Sequence, residues 1–353
     1  MGYKKIDPNM TFAEVSFLSS MEHNRSLKRL ERINATINWS AIESVLRKHY
    51  TTGSSNEGAD AYPPLLLLKG LLLQKWFQID SDPELETQIN DRISFKKFLG
   101  ISFDKPSPDH STFSRFRNRL SKDAMTQINN SVLQQFASKG LSINEGIAID
   151  ARLVQSASRP LSNDEMKQQK ETRETSEGNL DKKGNIMKFS RDLESDWTVR
   201  NTIPFYGLKE HASVDVMHGF VLATDITPAS VHDSNHLPYC VAASCHTDMP
   251  VKKVYADKGY YGEPNRTFLH MNDIRDGIMR KATRNTCLTD YEKERNKQIS
   301  KKRYIVEQYF GLSHLHDNAF RARFTKIMKN LIDVMCRQMA FNLFRGAKIL
   351  GTA

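Results

Sequence analysis

The spacing of apolar residues predicts helices through most of the first 140 residues. Apolar positions recur at mixed three- and four-residue intervals in Phe12–Met21 and Leu27–Tyr50, which is the period of a helix. Pro63 and Pro64 precede Leu65–Phe77, a stretch that is apolar on nearly every face, so we expect a buried helix there. Further helices are predicted at Asp82–Asp91, Phe113–Leu120 and Met125–Lys139.

After residue 141 the pattern changes to short apolar or alternating runs, which are typical of strands mixed with helices. Gly146–Ile149 predicts a buried strand that ends at Asp150, and Lys209–Val216 with Phe220–Ile226 predicts a β-hairpin. Further strands are predicted at Val251–Ala256 and Ile274–Met279, and further helices at Asp233–Ala243, 291–316 and 325–348.

These elements predict two domains. Residues 1–140 would form a helical domain, and residues 141–353 an α/β domain. The polar segment from about 160 to 197 predicts a surface insertion in the second domain, and the C-terminal part is predicted to be helical and basic.

Composition narrows the class of protein. The chain has 353 residues, of which 39% are hydrophobic, enough for a sizeable core. Its longest apolar stretch, Leu65–Leu73, is far shorter than the ~20 residues that span a bilayer, and no secretory signal opens the chain. The four cysteines show no paired spacing. We therefore expect a cytoplasmic protein with no membrane partner, no zinc site and no disulfide framework.

The charge is concentrated near the C-terminus. The formal net charge is +10, and residues 281–353 hold 15 Lys and Arg against 6 Asp and Glu, a net +9. A concentrated basic segment attracts polyanions, so nucleic acid is the expected partner, although a merely solvated surface would show the same composition.

Two predicted strands end in acids, at Asp150 and Asp257. The ends of strands in an open α/β sheet are common places for functional sites, and paired carboxylates suit Mg²⁺ or Mn²⁺. Glu307 completes a candidate triad and is expected in the driest part of a predicted helix, and Arg303 lies four residues earlier on the same helical face. Asp225 and Asp233 are rival acids.

Three segments carry a resemblance to a known family. GIAIDARLV (146–154), YADKGYYG (255–262) and RYIVEQYFG (303–311) resemble the three acidic motifs of bacterial DDE insertion-sequence transposases, in particular the insertion-sequence family 5 group. The helical segments YPPLLLLKGLLLQ (62–74) and PDHSTFSRFRNRL (108–120) are similar to the N-terminal domain of that group, so the resemblance implies that residues 1–140 bind DNA ends, form dimer contacts or do both.

The resemblance implies a DNA transposase. It would bind the terminal inverted repeats of its own element, cut there with two Mg²⁺ (or Mn²⁺) ions, and join the 3′-OH ends to target DNA, as a homodimer on DNA. Asp150, Asp257 and Glu307 would hold the metals on an RNase H-like fold, a mixed sheet flanked by helices and preceded by the all-helical domain. Two alternatives stay open: a metal-dependent nuclease of the same fold without strand transfer, and a catalytically silent DNA-binding relic.

The candidate DNA contacts follow from charge and from the motifs. Ser300 and His314 stand where the wider group has Tyr and Lys, so Lys301, Lys302 or His314 would supply that contact. Tyr260 would either stack on an unpaired base or pack in the core. The remaining candidates are the basic residues Arg115, Arg119, Arg303, Arg321 and Arg323. His211, Ser213 and Asp215 share a strand face and either support the metal site or face solvent.

Overall fold

The structure is a computed structural model of the chain. It describes residues 3–4, 11–53, 60–141, 143, 146–160, 162, 164, 192, 194–245, 249–284 and 286–351. Most of the predicted insertion from 160 to 197 lies outside these residues.

The N-terminal part is helical, as its apolar spacing predicts. Its helices are α1 (Phe12–Ser20), α2 (Arg25–Thr36), α3 (Trp39–His49), α4 (Pro64–Trp76), α5 (Asp82–Asp91), α6 (Ile93–Leu99), α7 (His110–Arg119) and α8 (Lys122–Ser138). Helix α4 is buried along almost its whole length, which confirms the prediction for Leu65–Phe77.

The helical period of Leu27–Tyr50 is confirmed, but it is divided between two helices. The backbone of Ile37 is extended, and the Asn38 side chain accepts a hydrogen bond from the Ser40 amide. Asn is a strong N-cap residue because its side-chain oxygen satisfies an amide that the new helix leaves unpaired. The apolar periodicity continues across this break because both helices bury their apolar faces in the same core.

A mixed sheet follows the helices. Its strands are β1 (Ile147–Gln155), β2 (Asp196–Arg200), β3 (Ile203–Asp215), β4 (Val221–Pro228), β5 (Lys253–Ala256) and β6 (Arg275–Ile278). The sheet runs β4–β3–β1–β5–β6, with β2 paired to the first residues of β3. The hairpin partners β3 and β4 are antiparallel, whereas β5 and β6 are parallel to β1 and to each other.

The predicted insertion ends earlier than expected. Asp196 and Trp197 already belong to β2, where they pair with Gly207 and Tyr206. The Trp197 and Tyr206 rings lie 5.3 Å apart between centroids. Trp197 stays 44% exposed, so the strand buries little apolar surface. A pattern of apolar residues therefore does not reveal this strand in the sequence.

The remaining helices are α9 (Asp233–Ser244), α10 (Glu263–Met271), α11 (Asp290–Asp317) and α12 (Ile327–Ile349). Helix α11 packs against β1, β3 and β5, and α12 contacts β4 as well as α2, α4 and α8. The main apolar core therefore runs without interruption from the N-terminal helices to the sheet. In the described part of the chain, every helix is too short or too polar to span a bilayer.

Candidate active site

Strand β1 places Asp150 beneath α11. Ala148 packs on the side of the sheet that contacts Val306 and Tyr309, and Asp150 follows two residues later on that side. Asp150 Oδ1 accepts a hydrogen bond from the Ala151 amide at 2.9 Å, and Oδ2 accepts one from Arg303 at 2.8 Å. Burial raises the pKa of Asp150 to about 6, and the nearby charges of Asp257 and Glu307 add to this rise.

Asp257 lies level with Asp150 at the neighbouring strand. In the parallel pair of β1 and β5, Ile147 is opposite Val254, and each acid follows three residues later. Asp257 Oδ1 accepts a hydrogen bond from the Gly259 amide at 2.7 Å. A Cβ at Gly259 would lie 3.0 Å from that oxygen, so glycine gives the carboxylate room in this turn.

Glu307 comes from α11, and its environment differs from the sequence-based expectation. Its side chain is 51% exposed, so the prediction of a dry position is wrong. Its neighbours Val306 and Tyr309 are buried, but Glu307 lies at the edge of the helix face that packs on the sheet. Helical periodicity separates these positions because successive residues are rotated by about 100°.

Arg303 connects two of the three acids. Its guanidinium donates to Asp150 from Nη2, and Nη1 lies 3.5 Å from Glu307 Oε1. Arg303 is only 7% exposed, so here it is an ion-pair partner of the carboxylates and not a free contact for DNA. In the residues that the structure describes, no group of three or more His, Cys, Asp or Glu is arranged to hold a metal ion. The guanidinium instead supplies the positive charge between Asp150 and Glu307.

The donor set nevertheless fits a hard divalent cation. Asp150 and Asp257 stand at matching positions of adjacent strands, and Glu307 on α11 is joined to Asp150 through Arg303. Carboxylate oxygens are the ligands that Mg²⁺ and Mn²⁺ prefer. The burial of Asp150 beside two other acids favours a partner with positive charge.

A second ionic group, which sequence reasoning missed, lies behind the acids. Arg152 is two residues beyond Asp150 and therefore on the same face of β1. It donates to Glu210 Oε2 from two nitrogens, at 2.6 and 3.0 Å, and to the Phe310 carbonyl of α11 at 3.2 Å. The β1–β3 register, which places Arg152 opposite Glu210, is the signal that would have found this pair.

Glu210 is the centre of this second group. It is fully buried and also receives hydrogen bonds from Arg337 at 3.2 Å and from the Tyr309 hydroxyl at 3.2 Å. Burial raises its pKa, but Arg152 and Arg337 outweigh that effect, so the pKa of Glu210 is lowered overall. The strand that carries Asp150 and the helix that carries Glu307 are thus fixed to each other by buried, charge-assisted hydrogen bonds.

His211, Ser213 and Asp215 lie on the other face of β3. All three are fully buried, so neither expectation for them is correct: they do not face solvent, and their hydrogen bonds lead away from the acids. His211 bonds to Thr227, Ser213 to Ser244 of α9, and Asp215 accepts from the His218 amide. Strand alternation separates them from Glu210, which is on the α11 side.

Tyr260 is core, not a stacking surface for DNA. It is 1% exposed within the main apolar cluster.

The rival acids also have structural partners, since Asp225 lies 2.9 Å from Lys122 and Asp233 lies 2.7 Å from Lys209.

The basic candidates divide into residues on the surface and residues that are paired with carboxylates. Arg323 is paired: it lies 3.6 Å from Asp82 and 4.0 Å from Asp333. Those that lie on the surface are Arg115, Arg119, Lys301, Lys302, His314 and Arg321. Only Lys301 and Lys302 immediately precede Arg303 on α11.

Comparisons with known proteins show the family of the chain. Residues 17–119 match the family described as Transposase domain (DUF772), and residues 145–343 match the family described as Transposase DDE domain. The chain belongs to the DDE transposase family. It is 33% identical, over 242 residues, to the transposase for insertion sequence element IS1106 of Neisseria meningitidis serogroup B. That alignment covers 67% of this chain and 78% of the relative.

No solved structure matches the chain. The match to the DDE domain covers all three acids and the whole described sheet, from β1 to β6. Transposases act on DNA, which supports the expected DNA partner.

Proposed function

We propose that this transposase binds the terminal inverted repeats of an insertion element of the family 5 group, cleaves DNA at their ends and joins the 3′-OH ends to target DNA. The observation that carries the proposal is the placement of Asp150 and Asp257 at matching positions of adjacent parallel strands, with Glu307 joined to Asp150 through Arg303. The strand order β4–β3–β1–β5–β6, with its antiparallel hairpin and parallel pair, supports an RNase H-like fold.

Each acid has a distinct part in the proposed reaction. Asp150 and Asp257 would hold divalent cations at the sheet, and Glu307 would complete the coordination from α11. Two such cations, when bound, stabilise charge on the attacking and leaving oxygens of a phosphodiester. The protein itself contributes position: Arg152 and Glu210 hold β1 and α11 in register, so that the acids stay aligned with the scissile phosphate.

Arg303 would change partners when DNA binds. Its guanidinium now neutralises Asp150 and Glu307, and a phosphate is an equally good bidentate acceptor. Divalent cations on the carboxylates and a phosphate nearby would together favour that exchange. The two DNA ends that transposition joins make a homodimer on DNA the expected assembly.

The test is a cleavage assay on a duplex that carries the terminal inverted repeat, with Mg²⁺ or Mn²⁺. We expect Asp150→Asn and Glu307→Gln each to lower the cleavage rate by at least about 10³-fold, since each removes charge stabilisation of the transition state. The matched control is Glu263→Gln, because Glu263 is 80% exposed on α10 and lies outside the triad. Its rate should equal that of the wild type.

A second assay supplies pre-cut ends and target DNA. Joined product that depends on the same acids supports the transposase. Cleavage without joined product would favour the nuclease of the same fold. End binding with neither product, unchanged by Asp150→Asn, would identify the silent relic.

A further inference from the structure

A cationic cleft of about 440 Å³ lies between α2 and the end of α12, apart from the three acids. Among its described lining residues, five carry positive charge and none is acidic. The cations are Arg25, Lys28, Arg29, Arg32 and Lys348, and we refer to these five residues as the cleft cations. The floor is apolar and includes Ile33 and Phe344.

The four cleft cations of α2 form a single stripe. Arg25, Lys28, Arg29 and Arg32 follow the i, i+3, i+4, i+7 spacing that places residues on one face of a helix. Like charges at this spacing destabilise a helix by ~0.2–0.5 kcal/mol per pair, so folding does not explain the stripe. Glu31 of the same helix does not relieve it, because it pairs with Lys97 of α6 at 2.5 Å.

Their charge is not neutralised within the described part of the chain. None of the five cleft cations has a carboxylate there within 4.0 Å. The basic residues of the neighbouring interior differ: Arg117 pairs with Asp82 at 2.7 Å, and Lys75 pairs with Asp333 at 2.7 Å. Positive charge therefore remains available to an external anion in the cleft.

Arg29 shows that the cleft lacks a partner. Its guanidinium lies over the Phe344 ring, 4.5 Å from the centroid, and its Nε is buried with no hydrogen-bond partner in the described residues. Burial also lowers the pKa of Arg29. A buried guanidinium nitrogen with no acceptor is costly unless an anion joins it.

We propose that the cleft cations bind backbone phosphates of duplex DNA, at a distance from the phosphate that is cut. This inference rests on the proposed function, since it assigns a second DNA contact to the same transposase. Arg29 and Phe344 also line an adjoining hollow that reaches Leu312 and His316 of α11, the helix that carries Glu307. Several cations over an apolar floor match phosphates and sugars rather than base edges, so the contact reads no sequence.

The experiment compares the wild type with Lys28→Gln/Arg32→Gln, both on the exposed side of α2. The probe is a fluorescein-labelled random-sequence duplex of about 30 base pairs, and fluorescence anisotropy is recorded without divalent ions over about 50–300 mM KCl. We expect the slope of log K against log[salt] to fall in magnitude by about 2, with a loss of affinity that is ~10-fold at 300 mM KCl and larger at 50 mM KCl.

The matched control is Arg47→Gln/Lys293→Gln. It removes the same charge from exposed residues that already have acidic partners, Glu43 at 2.7 Å and Asp290 at 2.9 Å. Its salt slope should equal that of the wild type. If Lys28→Gln/Arg32→Gln fails to fold by circular dichroism, Lys28→Gln/Lys348→Gln takes its place, with the same expected slope.

An unchanged salt slope in the cleft variants would overturn the proposal, as would an equal loss in the control or a wild type that does not bind the random duplex. Because this binding is measured without metal, it is independent of catalysis. If the salt slopes are as expected but the wild type never cleaves DNA, the proposed function is rejected and the DNA contact in the cleft is retained. If cleavage is normal but the cleft variants have the wild-type salt slope, only the DNA contact in the cleft is rejected.

Discussion

Two groups of charged side chains lie side by side on one face of β1, and they are built differently. Around Glu210, one buried carboxylate receives hydrogen bonds from Arg152, Arg337 and Tyr309. Around Asp150, the Arg303 guanidinium pairs with only two of the three acids, Asp150 and Glu307, and Glu307 is half exposed. The first group is closed and holds elements together. The second group is open, because it keeps unbalanced negative charge at the surface, which is what a site for cations requires.

The closed group extends into the N-terminal helices. Arg337 lies 3.8 Å from Asp333, and Asp333 lies 2.7 Å from Lys75 of α4. Buried ionic groups of this kind are not strong sources of stability in themselves, but removing one member leaves an uncompensated charge. The contrast between the two groups can therefore be tested by removing single charges from each.

The largest effect is expected for Glu210→Gln. The substitution leaves Arg152 and Arg337 without their shared carboxylate, which should lower the free energy of unfolding by about 3–5 kcal/mol. Urea unfolding measures it. Glu307→Gln is the matched control from the open group, and because that side chain is 51% exposed we expect a change within about 0.5 kcal/mol. Similar losses in the two variants would contradict the contrast.

A dependence on pH follows from Asp333. Burial raises the pKa of this carboxyl, but Lys75, Arg323 and Arg337 together hold it below its usual value. The folded protein therefore binds fewer protons here than the unfolded chain, so this stability is present above about pH 4 and is lost as the pH falls. The difference in unfolding free energy between wild type and Asp333→Asn should shrink below about pH 4. A constant difference from about pH 6 to pH 3 would refute this assignment.

A smaller effect is expected in the open group for Arg303→Gln. The guanidinium pairs with Asp150 and Glu307 and so competes with a cation for these carboxylates. Its removal should therefore tighten Mn²⁺ binding in the absence of DNA. We expect a change of about 3- to 10-fold, or ~0.7–1.4 kcal/mol, by isothermal titration calorimetry. Arg115→Gln, an exposed change on α7, is the control. Weaker binding by Arg303→Gln would show that Arg303 organises the acids rather than competing for them.

The smallest effect is expected outside both groups, for Arg119→Gln. Arg119 is exposed, and its guanidinium bonds to the Thr52 hydroxyl at 2.6 Å. Its replacement should change the free energy of unfolding by less than about 0.5 kcal/mol in urea. A loss above about 1 kcal/mol would mean that this surface contact is as important as the buried ones.

The three acids could be found from the sequence because each stands at a position with a local signal. Asp150 and Asp257 follow apolar runs, and Glu307 lies in a long helical pattern beside Arg303. Sequence alone misjudged the environment of Glu307, because the edge of a helix face is set by what packs against it. It left two interpretations of Tyr260 open, and the burial of this side chain in the core decides between them.

By itself, the sequence determined the order of most helices and strands, the motifs of the DDE family and the excess of positive charge. These depend on local periodicity and on residue identity, which need no partner in space. Only the tertiary structure decided which charges are free. Arg303, Arg323 and Arg337 come from the most basic part of the chain, yet each lies against a carboxylate brought from far away in the sequence. Pairing between distant residues is set by strand register and helix packing, so a count of charges along the chain cannot show it.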